Sequence, residues 1–148
     1  MEIKLAMPDQ RETVIELINE LWTYYDIAAE RDNISQVVDL IFGQPSLAEI
    51  HLIYEGDEVA GYFMLVPSLS VEYGGLYATL AGLFVREPFR RRGLGRQIIH
   101  FVLERCREQG WLAIETIADE ENKVVQYFYG SHGFVPERWV HLRRRLDH

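Results

Sequence analysis

Residues 80–110, LAGLFVREPFRRRGLGRQIIHFVLERCREQG, restrict the possible folds of this chain more than any other stretch. An apolar strand-like run ends at Val85 and passes through a turn of arginines and glycines. A helix then starts near Gly95, with Ile98, Ile99, Val102, Leu103 and Cys106 on its inward side and a stop at Gly110. A strand feeding directly into an amphipathic helix needs both a sheet and a layer of helices to cover it. The charge of the turn is also unusual. The chain has a formal net charge of -8, yet five of its thirteen arginines (Arg86, Arg90, Arg91, Arg92 and Arg96) fall within eleven residues. Scattered solvated charge has no use for the glycines interleaved with them.

The first turn of a helix leaves backbone N–H groups without partners, and the helix dipole adds roughly half a positive charge there. Such a start is an anion site. Gly93 and Gly95 let a phosphate approach the main chain with no Cβ in the way, and the arginines add charge-assisted contacts. The combination suits a pyrophosphate. Two common phosphate loops do not fit. A Walker loop needs lysine followed by serine or threonine after its last glycine, and the dinucleotide fingerprint needs a third glycine where Ile98 stands. The competing reading is a solvated arginine loop with capping glycines.

Around this segment the pattern predicts a strand at residues 2–6, then a capping-box signal of Asp9 with Glu12. A helix follows, carrying Val14, Ile15, Ile18, Leu21, Trp22 and Tyr25. A second helix is expected within residues 33–49, around Val37, Val38, Leu40 and Ile41 and ending near Gly43. HLIYEGDEVAGYFMLV predicts two strands joined by a tight turn at Glu55–Glu58, and GGLYATLAGLFV a third strand entered through glycines. After the Gly95 helix come a strand in WLAIETIA, a short helix in ENKVVQYFYGSH stopped near Gly133, and a final edge strand in WVHLRRRL. Its Arg143–Arg145 would discourage aggregation. The order βααβββαβαβ implies a single α/β (α+β) domain over residues 1–148, with a mixed, largely antiparallel twisted sheet flanked by helices. At 148 residues, 48% apolar and 26% charged, the chain can bury a core without staples. One cysteine, no signal-peptide run and no long apolar segment fit a cytoplasmic protein with no membrane partner. The acidic balance argues against nucleic acid. The histidines lack the spacing of metal ligands, so no metal is expected, and Cys106 is expected as a small core residue.

LFVREPFRRRGLGRQII resembles motif A of the GNAT superfamily of N-acetyltransferases, in which a strand runs into [QR]-x-x-G-x-[GA] and a helix. NKVVQYFYGSHGF resembles the downstream motif N-x-x-[AV]-x-x-F-Y-x-x-x-G-F, with Asn122, Val125, Phe128, Tyr129, Gly133 and Phe134 in register. The stretch NELWTYYDIAAERDNISQVVDLIFGQPSLAEIHLIYE is loosely similar to polyamine and diamine acetyltransferases.

The resemblance implies acetyl-CoA as co-substrate. It places Arg90, Arg91, Arg92, Gly93, Leu94, Gly95 and Arg96 on the pyrophosphate. Main-chain groups of Leu83, Phe84 and Val85 would lie along the pantetheine arm, and Leu83 or Phe84 would donate to the thioester oxygen. Asn122 would hold the arm from the opposite side, and Tyr129 would protonate the departing thiolate. From the residues alone, Asn122 is equally a helix cap and Tyr129 a core aromatic one turn from Val125.

In polyamine-type relatives an acidic pair precedes the position of Leu83, whereas this chain has Ala81 and Gly82. Glu115 on the neighbouring strand, or an ordered water, is then the candidate base, and Tyr25 and Asp26 are candidates for acceptor contact. The expected activity is acetylation of a primary amine on a small molecule. The alternatives are a protein or peptide N-acetyltransferase and a non-catalytic CoA-binding sensor. Pairing of two copies is left open.

Overall fold

The computed structural model describes residues 1–147. It divides into two compact units, Met1–Ile117 and Ala118–His148.

The first unit is a five-stranded sheet with strands β1 (Glu2–Leu5), β2 (Glu49–Glu55), β3 (Glu58–Ser70), β4 (Gly75–Val85) and β5 (Ile114–Thr116) in that spatial order. The first four run antiparallel to their neighbours, and β5 lies parallel to β4. Helices α1 (Arg11–Tyr24), α2 (Arg31–Gly43) and α3 (Leu94–Glu108) belong to the same unit. Hairpin β2–β3 turns at Gly56, whose φ of 61° is left-handed and suits glycine.

One core gathers Val14, Ile15, Leu17, Ile18 and Leu21 of α1 with Ile34, Val38 and Ile41 of α2, against Ile50, Leu52, Tyr62 and Phe84 of the sheet. Side chains of this size contribute about 1.5–3 kcal/mol each when fully buried. On the other face, Phe101 of α3 meets His51 and Phe63, and Ile98, Ile99, Val102 and Cys106 are buried.

Several sequence expectations shift. The inward stripe of α2 is Ile34, Val38 and Ile41, while Val37 and Leu40 are exposed, because apolar residues occupy both sides of this helix. Trp22 and Tyr25 likewise lie exposed at the end of α1. The reciprocal bond expected of Asp9 and Glu12 is made two residues earlier. The Met7 amide donates to the Gln10 side chain at 2.9 Å, and the Gln10 amide to the Met7 carbonyl at 2.8 Å. This pair closes a 3₁₀ turn over Pro8–Gln10 that leads into α1.

The second unit contains α4 (Lys123–Ser131), ended by Gly133 with φ 89°. The strand expected in WVHLRRRL does not form. Residues 139–146 join no sheet ladder among the described residues, and Trp139, Val140, Leu142 and Leu146 are 74–90% exposed. An apolar β-prone segment becomes a strand only where a neighbour takes its main-chain groups. Arg145 instead pairs with Asp147, its Nε donating at 3.0 Å. Among the described residues, no helix is long and apolar enough to cross a membrane.

Candidate functional site

The site begins with an irregularity in β4. Phe63 pairs with Leu83, but Leu65 pairs with Leu80, so Ala81 and Gly82 together oppose Met64. This is a β-bulge, one extra residue that bends the strand. Because of it, Leu80 and Leu83 share the α3 face, while Gly82 turns with Phe84 to the α1 face. A Cβ on Gly82 would meet the Tyr62 hydroxyl at 3.0 Å and Leu21 Cδ2 at 3.4 Å.

The bulge also ends the pairing with β5. The last pair is Leu80 with Thr116, and the Thr116 hydroxyl donates to the Leu80 carbonyl at 3.1 Å. From Ala81 onward, β4 has a strand on one side only. The amide of Arg86 donates to the Ala60 carbonyl at 2.7 Å, which fixes the alternation of the antiparallel ladder. Phe84 therefore turns its main-chain groups to β3. Leu83 and Val85 turn theirs to the open edge.

The chain then reaches the arginine turn, whose five guanidiniums do different things. Arg86 is held by Glu20 (Nη2–Oε2 2.8 Å) and donates from Nη1 to the Val59 carbonyl. Arg90 is half-buried, with Nε donating to the Val85 carbonyl at 2.6 Å and Cζ lying 5.1 Å and 5.4 Å from the ring centres of Tyr24 and Phe84. Arg91, Arg92 and Arg96 are exposed, and no carboxylate approaches them within 4 Å among the described residues.

Two left-handed residues, Arg91 (φ 62°) and Gly93 (φ 74°), shape the entry to α3. For arginine this conformation costs roughly 1–2 kcal/mol, and strain of this kind concentrates at functional sites. No side chain caps the first turn of α3 after Gly93, so its N–H groups remain available at Leu94 and Gly95.

The structure thus brings Leu83, Val85 and residues 90–96 into one continuous strand–turn–helix. Tyr25 ends α1 and Asp26 follows with φ 54°, both exposed. Tyr24 packs edge-on to Tyr25 and leans on Phe84, tying the end of α1 to β4. Glu115 is exposed on β5 opposite Thr79, whose hydroxyl lies 3.5 Å from it.

Asn122 and Tyr129 belong to the second unit. Asn122 caps α4 by accepting from the Val125 amide at 3.1 Å, which leaves its side-chain NH₂ for another partner. Tyr129 is half-buried, edge-on to Phe128 and Phe134 with ring centres 5.2 Å away in both cases.

Two further residues of this region had no signal in the sequence. Gly61 faces β4 so closely that a Cβ there would lie 2.0 Å from the Phe84 carbonyl oxygen. Tyr62 is 2% exposed, and burial, with Tyr25 nearby, holds its phenol pKa above the ordinary value.

Comparison with known proteins agrees with this geometry. The Acetyltransferase (GNAT) family model matches residues 12–134 and so spans both compact units. A thialysine N-epsilon-acetyltransferase of Caenorhabditis elegans is 25% identical over 146 residues, covering 96% of this chain and 90% of that protein. Among solved structures, an integron cassette protein from the Cole Harbour Salt Marsh metagenome superposes with a TM-score of 0.85 at 27% identity. That match covers 97% of this chain and 90% of the other. AAC(6')-Iy, solved with a bisubstrate analog of CoA and acetylneamine, superposes with a TM-score of 0.83 at 20% identity, covering 98% of each chain. With a bulged strand running through an arginine–glycine turn into a helix, and a family match over residues 12–134, the chain belongs to the GNAT family of acetyltransferases.

Proposed function

We propose that residues 1–148 act as one domain that transfers acetyl from acetyl-CoA to a primary amine of a small molecule, by direct attack of the amine on the thioester. The observation that carries this reading is the open edge of β4, continuous with a turn of three arginines that face no carboxylate among the described residues. An extended pantetheine arm adds to such an edge as a strand would, and a pyrophosphate suits the turn. Acetyl-CoA supplies the activated acyl group. The protein supplies position and protons.

In this reading Arg91, Arg92 and Arg96, with the main chain of Gly93, Leu94 and Gly95, bind the pyrophosphate, and Arg90 braces the turn from inside. Leu83 and Val85 offer main-chain groups to the arm. Ladder alternation favours the Leu83 amide over that of Phe84 as donor to the thioester oxygen. Asn122 contacts the arm and Tyr129 is the acid for the leaving thiolate. Tyr25 and Asp26 border the acceptor, and Glu115 or a water takes its proton. A buried free thiol such as Cys106 is at home in the cytoplasm.

The acceptor is a mono-amine or amino acid of limited charge rather than spermidine or spermine. A polyamine needs carboxylates beside the reacting nitrogen, since each unpaired desolvated charge costs several kcal/mol, and Ala81 and Gly82 provide none. The relative named for acetylating thialysine, an amino acid, supports this choice. The test is initial thiol release from acetyl-CoA across lysine, thialysine, diamines, arylalkylamines, spermidine, spermine and a peptide panel. The expected best substrate is an amino acid or mono-amine. A spermidine or spermine kcat/KM ten times higher than any other would refute it, and a peptide preference would move the protein to the polypeptide-acetylating class.

A further inference from the structure

Tyr62 sits where the acceptor reading needs a polar group. Its ring is packed into the core between α1 and the sheet, opposite Phe84 in the β3–β4 register. Its hydroxyl points at the bulge, 3.0 Å from where Gly82 would carry a Cβ. That hydroxyl makes no hydrogen bond among the described residues, and the group that acts on it electrostatically is Tyr25. The ring is packed in the core and its oxygen stands at the bulge. A buried hydroxyl without a partner is costly unless something completes it.

The glycine explains that placement. Any side chain at position 82, including a carboxylate, would need the space this oxygen takes. A carboxylate on β4 and the phenol from β3 are thus alternative ways to furnish the same spot. This chain has the phenol.

We propose that the Tyr62 hydroxyl is an acceptor-binding group of the transferase, taking a hydrogen bond from the N–H of the neutral amine and so aiming the nitrogen lone pair at the thioester. The assignment rests on the acetyl-transfer reading above. It makes Tyr62 a determinant of acceptor choice: a phenol satisfies one neutral N–H and offers no charge to an ammonium. Burial disfavours the phenolate, so Tyr62 orients the amine and leaves proton removal to another group.

The test uses Tyr62→Phe, then Tyr62→Phe with Gly82→Ser, and Tyr62→Phe with Gly82→Ala. Removing the phenol oxygen opens room for a Cβ at position 82. Serine returns a hydroxyl to nearly the same place, and alanine returns only the volume. Steady-state rates are measured with lysine, thialysine, cadaverine and phenethylamine, and acetyl-CoA affinity by titration. Tyr62→Phe should lower kcat/KM for the best amine at least tenfold while acetyl-CoA Kd stays within about twofold. Gly82→Ser in that background should recover most of the loss, and Gly82→Ala should not. Unchanged kcat/KM in Tyr62→Phe, or equal recovery by alanine, overturns the assignment while leaving the transferase reading intact. If the unsubstituted protein neither binds acetyl-CoA nor releases thiol with any amine, both readings fall together.

Discussion

Gly61→Ala places one methyl group against the main chain of the strand on which the proposed site depends. Its Cβ would lie 2.0 Å from the Phe84 carbonyl oxygen and 3.0 Å from Phe84 C and Val85 Cα. Non-bonded heavy atoms settle near ~3.5 Å, so β3 and β4 must separate by about 1 Å or more at this point. No rotamer change relieves the clash, because the obstructing atoms are backbone. Overpacking of this kind costs ~1–3 kcal/mol, and in a chain of this size each kcal/mol lowers Tm by ~2–4 °C. The expected fall is therefore ~2–12 °C.

The displaced atoms belong to residues 84 and 85, so acetyl-CoA affinity should drop as well, by tenfold or more, or about 1.4 kcal/mol. Gly43→Ala is the comparison. It ends α2 with nothing within 4 Å of its Cβ, and it should melt at or slightly above the unsubstituted protein. Thermal melts and acetyl-CoA titration of the two variants decide the matter. A Gly61→Ala protein that melts like Gly43→Ala refutes the register of β3 on β4. A lowered Tm with unchanged acetyl-CoA affinity refutes the placement of the ligand along this edge.

The arginine turn should divide by role. Alanine at Arg91, Arg92 or Arg96 weakens acetyl-CoA binding by ~1.5–3 kcal/mol per lost charged contact with Tm unchanged, whereas Arg90→Ala lowers Tm through the lost Val85 bond; equal behaviour of all four contradicts the assignment. Glu49 is buried, which alone would raise its pKa, but hydrogen bonds from His51, Arg105 and Gln109 outweigh this and hold it at about 2 against an ordinary 4.5. Its stabilisation, about 3 kcal/mol, is full above pH 4.5 and is lost as pH falls towards 2. Glu49→Gln should flatten that acid limb in urea melts, and an unchanged slope would remove Glu49 from the account. Tyr129→Phe should lower kcat by ~10²–10⁴ with acetyl-CoA affinity retained; an unchanged kcat, with chemistry limiting, excludes Tyr129 as the acid.

How much of this was legible in the sequence follows from how local each signal is. The passage from β4 through the turn to α3 could be read directly, since apolar period, glycines and arginines all lie within thirty residues of one another. The hairpin at Gly56 was legible for the same reason. The inward stripe of α2 was not. With Ile34, Val37, Val38, Leu40 and Ile41 around one helix, only the packing partner selects a side. The segment at residues 139–146 has the composition of a strand, but composition cannot supply the neighbour whose carbonyls and amides would make it one.

The site shows a sharper limit. Nothing in the letters AGLFV says that Ala81 and Gly82 share one partner across the ladder. That single extra residue decides which way every later group on β4 points. Without it Gly82 would share the α3 face with Leu80, and Tyr62 would have no gap to reach into. With it, the ladder to β5 stops at Thr116, Leu83 gains an open edge, and the Tyr62 hydroxyl from the neighbouring strand comes within 3.0 Å of where Gly82 would carry a Cβ. The missing acidic pair reads in the sequence as a deficit in the mechanism. In the fold it leaves the space beside Gly82 that the Tyr62 hydroxyl occupies.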